Sequence, residues 1–257
     1  MIPRSSSVIP SPVENLDQLV RRVDEDRWLA SRFAPAFVRE RLTAIYAVNY
    51  EIARTAETVH EAALGDIRLE WWRSALEEIA QGEKPRAHPA LEELARTMKD
   101  PLHATLLQEI VTARRADLDP RPFANWVAVE AYVDATAGVL MHVSAEQCAA
   151  PRAPSEAFIE AAGRAWGLTG LLRALEFWRA KGRSPLPREG GDATELAARA
   201  RAAYEAAQAL AISIAQEAFP AIGYVALVPG YLRTGGRQRS LFGRHARLIA
   251  ASATGRI

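Results

Sequence analysis

What most constrains this chain is the length of its helical-period runs, together with the lack of the alternating pattern that half-buried strands require. Phe37 to about His60, Phe123 to Ala149, Ser155 toward Ala180 and Thr194 to Glu217 all far exceed a strand of roughly 4–8 residues, and they lack hairpin turn signals. In the first of these, Phe37, Leu42, Ile45, Val48, Ile52 and Val59 are the expected buried stripe. Asn15 to Ala30 reads as an earlier helix. Gly65 marks a break, after which Asp66 is placed to cap a helix over Ile67 to Ala80 and Gly82 to end it. Prolines at 89, 101, 120, 122, 151 and 154 separate the remaining helices. Only Tyr224 to Val228, continuously apolar between Gly223 and Pro229, passes for a strand, and it has no partner to pair with. The pattern predicts an all-α protein of roughly eight to ten helices.

Nothing in the composition divides the chain. Its 257 residues are 49% apolar and 25% charged, enough for a sizeable core, and no linker separates two domains. A flexible tail over residues 1–13 followed by one helical domain over 14–257 is the expected organisation. The N-terminal MIPRSSSVIPSPVENL lacks a secretory apolar run, and the apolar stretch near Phe219 to Tyr231 is interrupted and too short to span a bilayer. A net charge of +1 gives no general attraction to nucleic acid. The single cysteine, Cys148, excludes an internal disulfide and reads as a small core residue in a reducing, cytoplasmic compartment.

The polar feature of note is in the helix from Phe37. Tyr46, Asn49, Tyr50, Ala53, Arg54 and Glu57 fall at three- and four-residue spacings and share one face. Helical proteins hold divalent metals with carboxylates on facing helices, because hard cations take several oxygen ligands from opposite sides. The first helix offers Glu51, Glu57 and Glu61; the helix from Ser155 offers Glu156, Glu160 and then only Glu176. The five histidines have no metal-ligand spacing, and neither a G-x-S-x-G nucleophile nor a phosphate-binding glycine loop is present. Trp71 and Trp72 read as packing residues.

These helices carry a resemblance. YAVNYEIARTAETV resembles the first aspartate-rich helix of the squalene/phytoene synthase family, and GRAWGLTGLLRALEFWRAKGRSPLP resembles the second. DRWLASRFAP, LEWWRSAL and AYVDATAGVL resemble the connecting segments, so the similarity runs in order from about Asp24 to Pro187. It implies an isoprenoid-synthase-like helical bundle with a central cavity. Enzymes of that family join two prenyl diphosphates head to head, with magnesium bridging both aspartate-rich motifs and the diphosphates. Carried over, the first motif's aspartates fall on Ala53, Arg54 and Glu57, and the second motif's on Ala174 and Trp178. The family's upstream glutamine and asparagine fall on Gly167 and Gly170, while Tyr46, Arg173 and Arg183 match.

One carboxylate cannot assemble the oxygen cage of a magnesium cluster. The resemblance therefore implies a protein whose ordinary catalysis is absent or altered, with no metal site and no cofactor. Tyr46, Arg54, Glu57, Arg173 and Arg183 are the candidate binding residues for a prenyl diphosphate or another lipid. EIARTAETVHEAALGDIRLEWW, HPALEEL and RRADLD also resemble a divergent branch of the family that includes a mitochondrial assembly factor of respiratory complex I. Respiratory-complex subunits are then the implied partners. The alternative is a working prenyltransferase that uses magnesium with carboxylates recruited from Glu51, Glu61 and Glu176. Arginines 233, 237, 239, 244 and 247, interleaved with Leu232, Leu241, Phe242, Leu248 and Ile249, suit peripheral contact with an anionic inner-membrane surface and equally suit a solvated terminal helix.

Overall fold

Helices form where the periodicity places them, with breaks where neighbouring segments intrude. The computed structural model describes residues 12–148, 153–211, 215–255 and 257. Of the expected tail, residues 1–11 lie outside this description. The first part of the chain forms α1 (Pro12–Val23), α2 (Glu25–Ser31), α3 (Ala36–Ala53), α4 (Thr55–Thr58), α5 (Ala62–Ala80), α6 (Pro89–Thr97) and α7 (His103–Ala113). A 3-10 turn, Arg114–Leu118, leads to α8 (Trp126–Val133), a π turn (Asp134–Gly138) and α9 (Val139–Gln147). The remainder comprises α10 (Glu156–Ala180), α11 (Ala193–Leu210), α12 (Phe219–Ile222), α13 (Val228–Arg233) and α14 (Leu241–Thr254). No strand occurs among the described residues.

Side-chain caps fix several starts. Ser155 accepts from the Phe158 amide at 3.2 Å to begin α10, and Asp192 accepts from the Thr194 and Glu195 amides at 2.7 and 2.8 Å to begin α11. Gly82, at φ 74°, ends α5 as expected.

Several expected boundaries are corrected. The first predicted helix divides at Asp24, and the long second one turns at Arg54 and stops at Thr58, so Glu57 and Glu61 do not share a helix. The expected break at Gly65 falls inside α5: a Cβ there would lie 2.4 Å from Leu118 Cδ2, so this glycine is a packing notch. Asp66 consequently lies within α5. Tyr224 to Val228 is a buried 3-10 turn running into α13, and its unbroken apolarity reflects burial on all sides. These interruptions raise the count to fourteen α-helical segments among the described residues.

The apolar residues pack into a large cluster, built mainly from α1 to α7, α9 and the segments before α14, and a smaller one. The smaller cluster joins α8, the second half of α10 and the start of α11 around Val133, Leu168, Leu172 and Leu196. α10 packs most extensively on α11 and crosses the π turn at very short range. At that crossing, a Cβ on Gly163 would lie 2.5 Å from Gly138 Cα. Cys148 belongs to the larger core, where burial pushes its thiol up to about 12. Two outcomes follow. Ellman's reagent at neutral pH should label Cys148 only on the unfolding timescale. Stability should also fall as pH climbs from the ordinary cysteine value of 9.0 toward about 12, because the unfolded thiol ionises first.

A central candidate binding cavity

A cavity of about 880 Å³ opens where the two clusters meet, with Trp166 and Ala137 on one side and Tyr132, Val133 and Leu171 on the other. That volume falls within the usual range of small-molecule sites, roughly 300–1,000 Å³. The end of α3 brings Ala53 to the wall, the turn at Arg54 lets α4 bring Glu57, and one face of α10 contributes Gly167, Gly170, Ala174 and Trp178. Six of the seven positions that correspond to oxygen ligands in the resemblance thus border one space, and the seventh, Arg54, stands outside it. Glu57 is the only one of the six with an oxygen ligand on its side chain.

These residues do not fit a magnesium cluster. Other carboxylates reach the cavity, but arginines already engage two of them. Asp117 accepts from Tyr132 Oη at 2.7 Å and Arg114 Nη1 at 3.1 Å, and Arg121 holds Asp119 at 2.6 Å and its carboxyl down at about 2. No group of three histidine, cysteine, aspartate or glutamate residues is placed to hold a metal among the described residues. Glu51 pairs with Arg54, Glu176 pairs with Arg179 on the surface, and Glu61 stands exposed at the N-cap of α5. None of these three lines the cavity.

What the cavity does hold is arginine. Arg27, only 7% exposed, comes from α2 and lies 5.0 Å from the Tyr224 ring and 5.8 Å from the rings of Tyr46 and Trp166. Its Nη1 donates to Asp24 at 2.7 Å, while its Nε has no protein partner. Burial favours the neutral form, but Asp24 and Tyr224 outweigh it and hold the pKa above the ordinary arginine value. Arg114, in the 3-10 turn, donates to Tyr132 Oη at 2.6 Å and also leaves a buried Nε unpaired. Burial opposes its charge too, and Tyr132 and Asp117 outweigh that effect. Arg183 donates from Nη1 to the Asp117 carbonyl and from Nη2 to the Leu118 carbonyl at 3.4 Å, tying the α10–α11 connection to the 3-10 turn.

Of the five candidate residues, Glu57 and Arg183 line this cavity. Tyr46 is buried at 1% exposure and supports Arg27 with its ring. Arg54 points along α3, 3.2 Å from Glu51 and 5.4 Å from the Tyr50 ring. Arg173 stacks 4.4 Å from the Tyr231 ring and pairs with Asp26 at 3.2 Å. Asp26 is buried and accepts as well from Tyr231 Oη and Arg244 Nη1, both at 2.5 Å, so the protein's own carboxylate neutralises this cationic cluster. Sequence reasoning did not single out Arg27, Arg114 or Tyr132, although all three lie in the quoted segments DRWLASRFAP, RRADLD and AYVDATAGVL.

The helices and their order around a central cavity are shared with solved dehydrosqualene and squalene synthases. A dehydrosqualene synthase in complex with ligand superimposes with a TM-score of 0.78 at 17% identity, over 95% of each chain. A squalene synthase from Alicyclobacillus acidocaldarius gives 0.66 at 16% identity, over 95% of this chain and 94% of that one. The family model described as squalene/phytoene synthase matches residues 20–194, and the chain belongs to that family. Among curated proteins it is similar to NADH dehydrogenase (ubiquinone) complex I assembly factor 6. Identity is 25% to the Mus musculus protein and 26% to the Homo sapiens protein, in each case over 170 residues, 66% of this chain. The match covers 51% of each relative, so the chain spans about half the length of the curated relatives it matches.

Proposed function

We propose that this protein binds a lipid bearing a phosphate or diphosphate head and does not condense prenyl diphosphates. The observation that carries the reading is the loss of oxygen ligands at five of the six cavity positions named above, Glu57 alone remaining. Ionising an allylic diphosphate concentrates charge on the leaving group, and a metal cluster ordinarily neutralises it. Glu51, Glu61 and Glu176, the acids a working enzyme would have to recruit, stand away from the cavity.

Binding does not have the same requirement. Arg27, Arg114 and Arg183 bring guanidinium groups to the cavity wall, and an anionic head could take charge-assisted bonds from them. Val133, Trp166, Leu171 and Phe177 provide apolar wall for a chain. The likeness to the assembly factors supports placing such a binding protein in the assembly of a respiratory complex, with complex subunits as partners.

The purified chain should be incubated with farnesyl or geranylgeranyl diphosphate and magnesium, with and without a nicotinamide reductant. The expected outcome is saturable binding with no diphosphate release and no coupled hydrocarbon, and weaker binding by Arg27→Gln at unchanged fold. Robust turnover would sink the non-catalytic reading. Co-purification with respiratory-complex subunits tests the assembly role separately.

A further inference from the structure

The last 40 residues contain six arginines and no aspartate or glutamate, so they carry +6 while residues 1–217 carry −5. The fold gathers part of that charge. Arg233, Arg239, Arg244 and Arg247 surround a second cavity of about 260 Å³, floored by Leu227, Pro229 and Gly230. Arg244 is buried and already paired with Asp26 and Glu25. Arg233, Arg239 and Arg247 form no ion pair among the described residues. Arg247 Nε donates to the Ala226 carbonyl at 3.2 Å, and Arg239 lies over Gly230, where an added Cβ would sit 3.2 Å from its Cδ.

Beside this cavity, α14 buries an arginine and leaves large apolar side chains in solvent. Arg244, Leu248 and Ala251 face inward. Phe242 and Ile249, two turns apart on the opposite face, are 83% and 52% exposed, with Leu241 at 43%. No helix among the described residues is long and apolar enough to cross a membrane.

We propose that the α13–α14 surface docks on an anionic phospholipid bilayer. A lipid phosphate enters the cavity of Arg233, Arg239 and Arg247, while Phe242 and Ile249 enter the headgroup–acyl boundary. The charge is complementary, and the adjoining apolar side chains select the source of the phosphate. A soluble phosphoester or a nucleic acid would satisfy the arginines and leave Phe242 and Ile249 in water, whereas a bilayer accommodates both sets. This inference does not depend on what fills the central cavity.

Vesicle flotation of the full chain tests it, comparing phosphatidylcholine alone with phosphatidylcholine plus phosphatidylglycerol. Binding is expected only to the anionic vesicles, and it should weaken as salt rises. The double variant R233A/R239A should bind roughly 25-fold more weakly, at about fivefold per arginine near the surface. F242S should lose about tenfold. All three side chains are exposed, so melting curves should match the parent chain and exclude misfolding as the cause. The proposal fails if the parent chain does not float with anionic vesicles at low salt, or if the variants float as well as the parent. Uptake of glycerol phosphate without vesicle binding would also overturn it, as would self-association of the chain that covers Phe242.

Discussion

Replacing Gly163 by alanine should lower stability by about 2–3 kcal/mol, which for a chain of this size corresponds to a fall in Tm of roughly 4–12 °C. The added methyl would lie 2.5 Å from Gly138 Cα and 3.1 Å from its amide nitrogen. Those are backbone atoms of the π turn, so no side chain can rotate aside and α10 must move away from its neighbour. Against this stands a gain of up to about 1 kcal/mol in helix propensity, too small to reverse the sign. Gly170 supplies the control. It lies on the same helix, an added Cβ there meets nothing within 4 Å, and its face borders the cavity. Gly170→Ala should therefore gain about 0.5–1 kcal/mol. Urea or thermal melts of the two variants decide the matter, and a similar loss in both would mean that the short crossing between α10 and the π turn is not a constraint on the fold.

The second large effect belongs to Asp26. Its side chain is 1% exposed and that of its partner Arg244 4%, with Arg173 and Tyr231 Oη completing the cluster. Asp26→Asn keeps the shape and removes the charge, leaving buried Arg244 with Glu25 as its remaining carboxylate partner and Arg173 with none among the described residues. The expected loss is about 3 kcal/mol, the lower end of the range seen when one partner of a buried pair is removed. Removing both charges tests the cause: D26N/R244M should be markedly more stable than the sum of the single changes. Additive losses in a double-mutant cycle would show that packing around α2, rather than the ion pair, carries the effect.

The two predictions rest on features of different legibility. The helical class could be read because α3, α5, α10 and α11 keep their apolar period over many residues. The positions facing the cavity were legible through the family resemblance, which carried the motif positions onto Ala53 and Glu57 and onto Gly167, Gly170, Ala174 and Trp178 of α10. Interruptions were not. The turn at Arg54 and the π turn depend on what packs against them, and Gly65 invited a helix break because nothing local reveals that Leu118 fills its notch. Juxtapositions across long separations were also hidden. Asp26 meets Arg173 and Arg244 from the far end of the chain, so Arg173 read as free to bind an anion when a carboxylate of the protein already engages it. Arg27 and Arg114 reach the cavity from α2 and a 3-10 turn, and neither belongs to the polar stripe that first drew notice.

The arginine-lined central cavity bears on the protein's survival as well as its occupancy. A ligand bound there would engage the folded chain and not the unfolded one, and so would add RT ln(1 + [L]/Kd) to the free energy of unfolding. Under the proposed lipid-binding function, the filled protein would populate open states less often and present itself less to proteases. Cellular abundance would then track ligand supply even at constant synthesis.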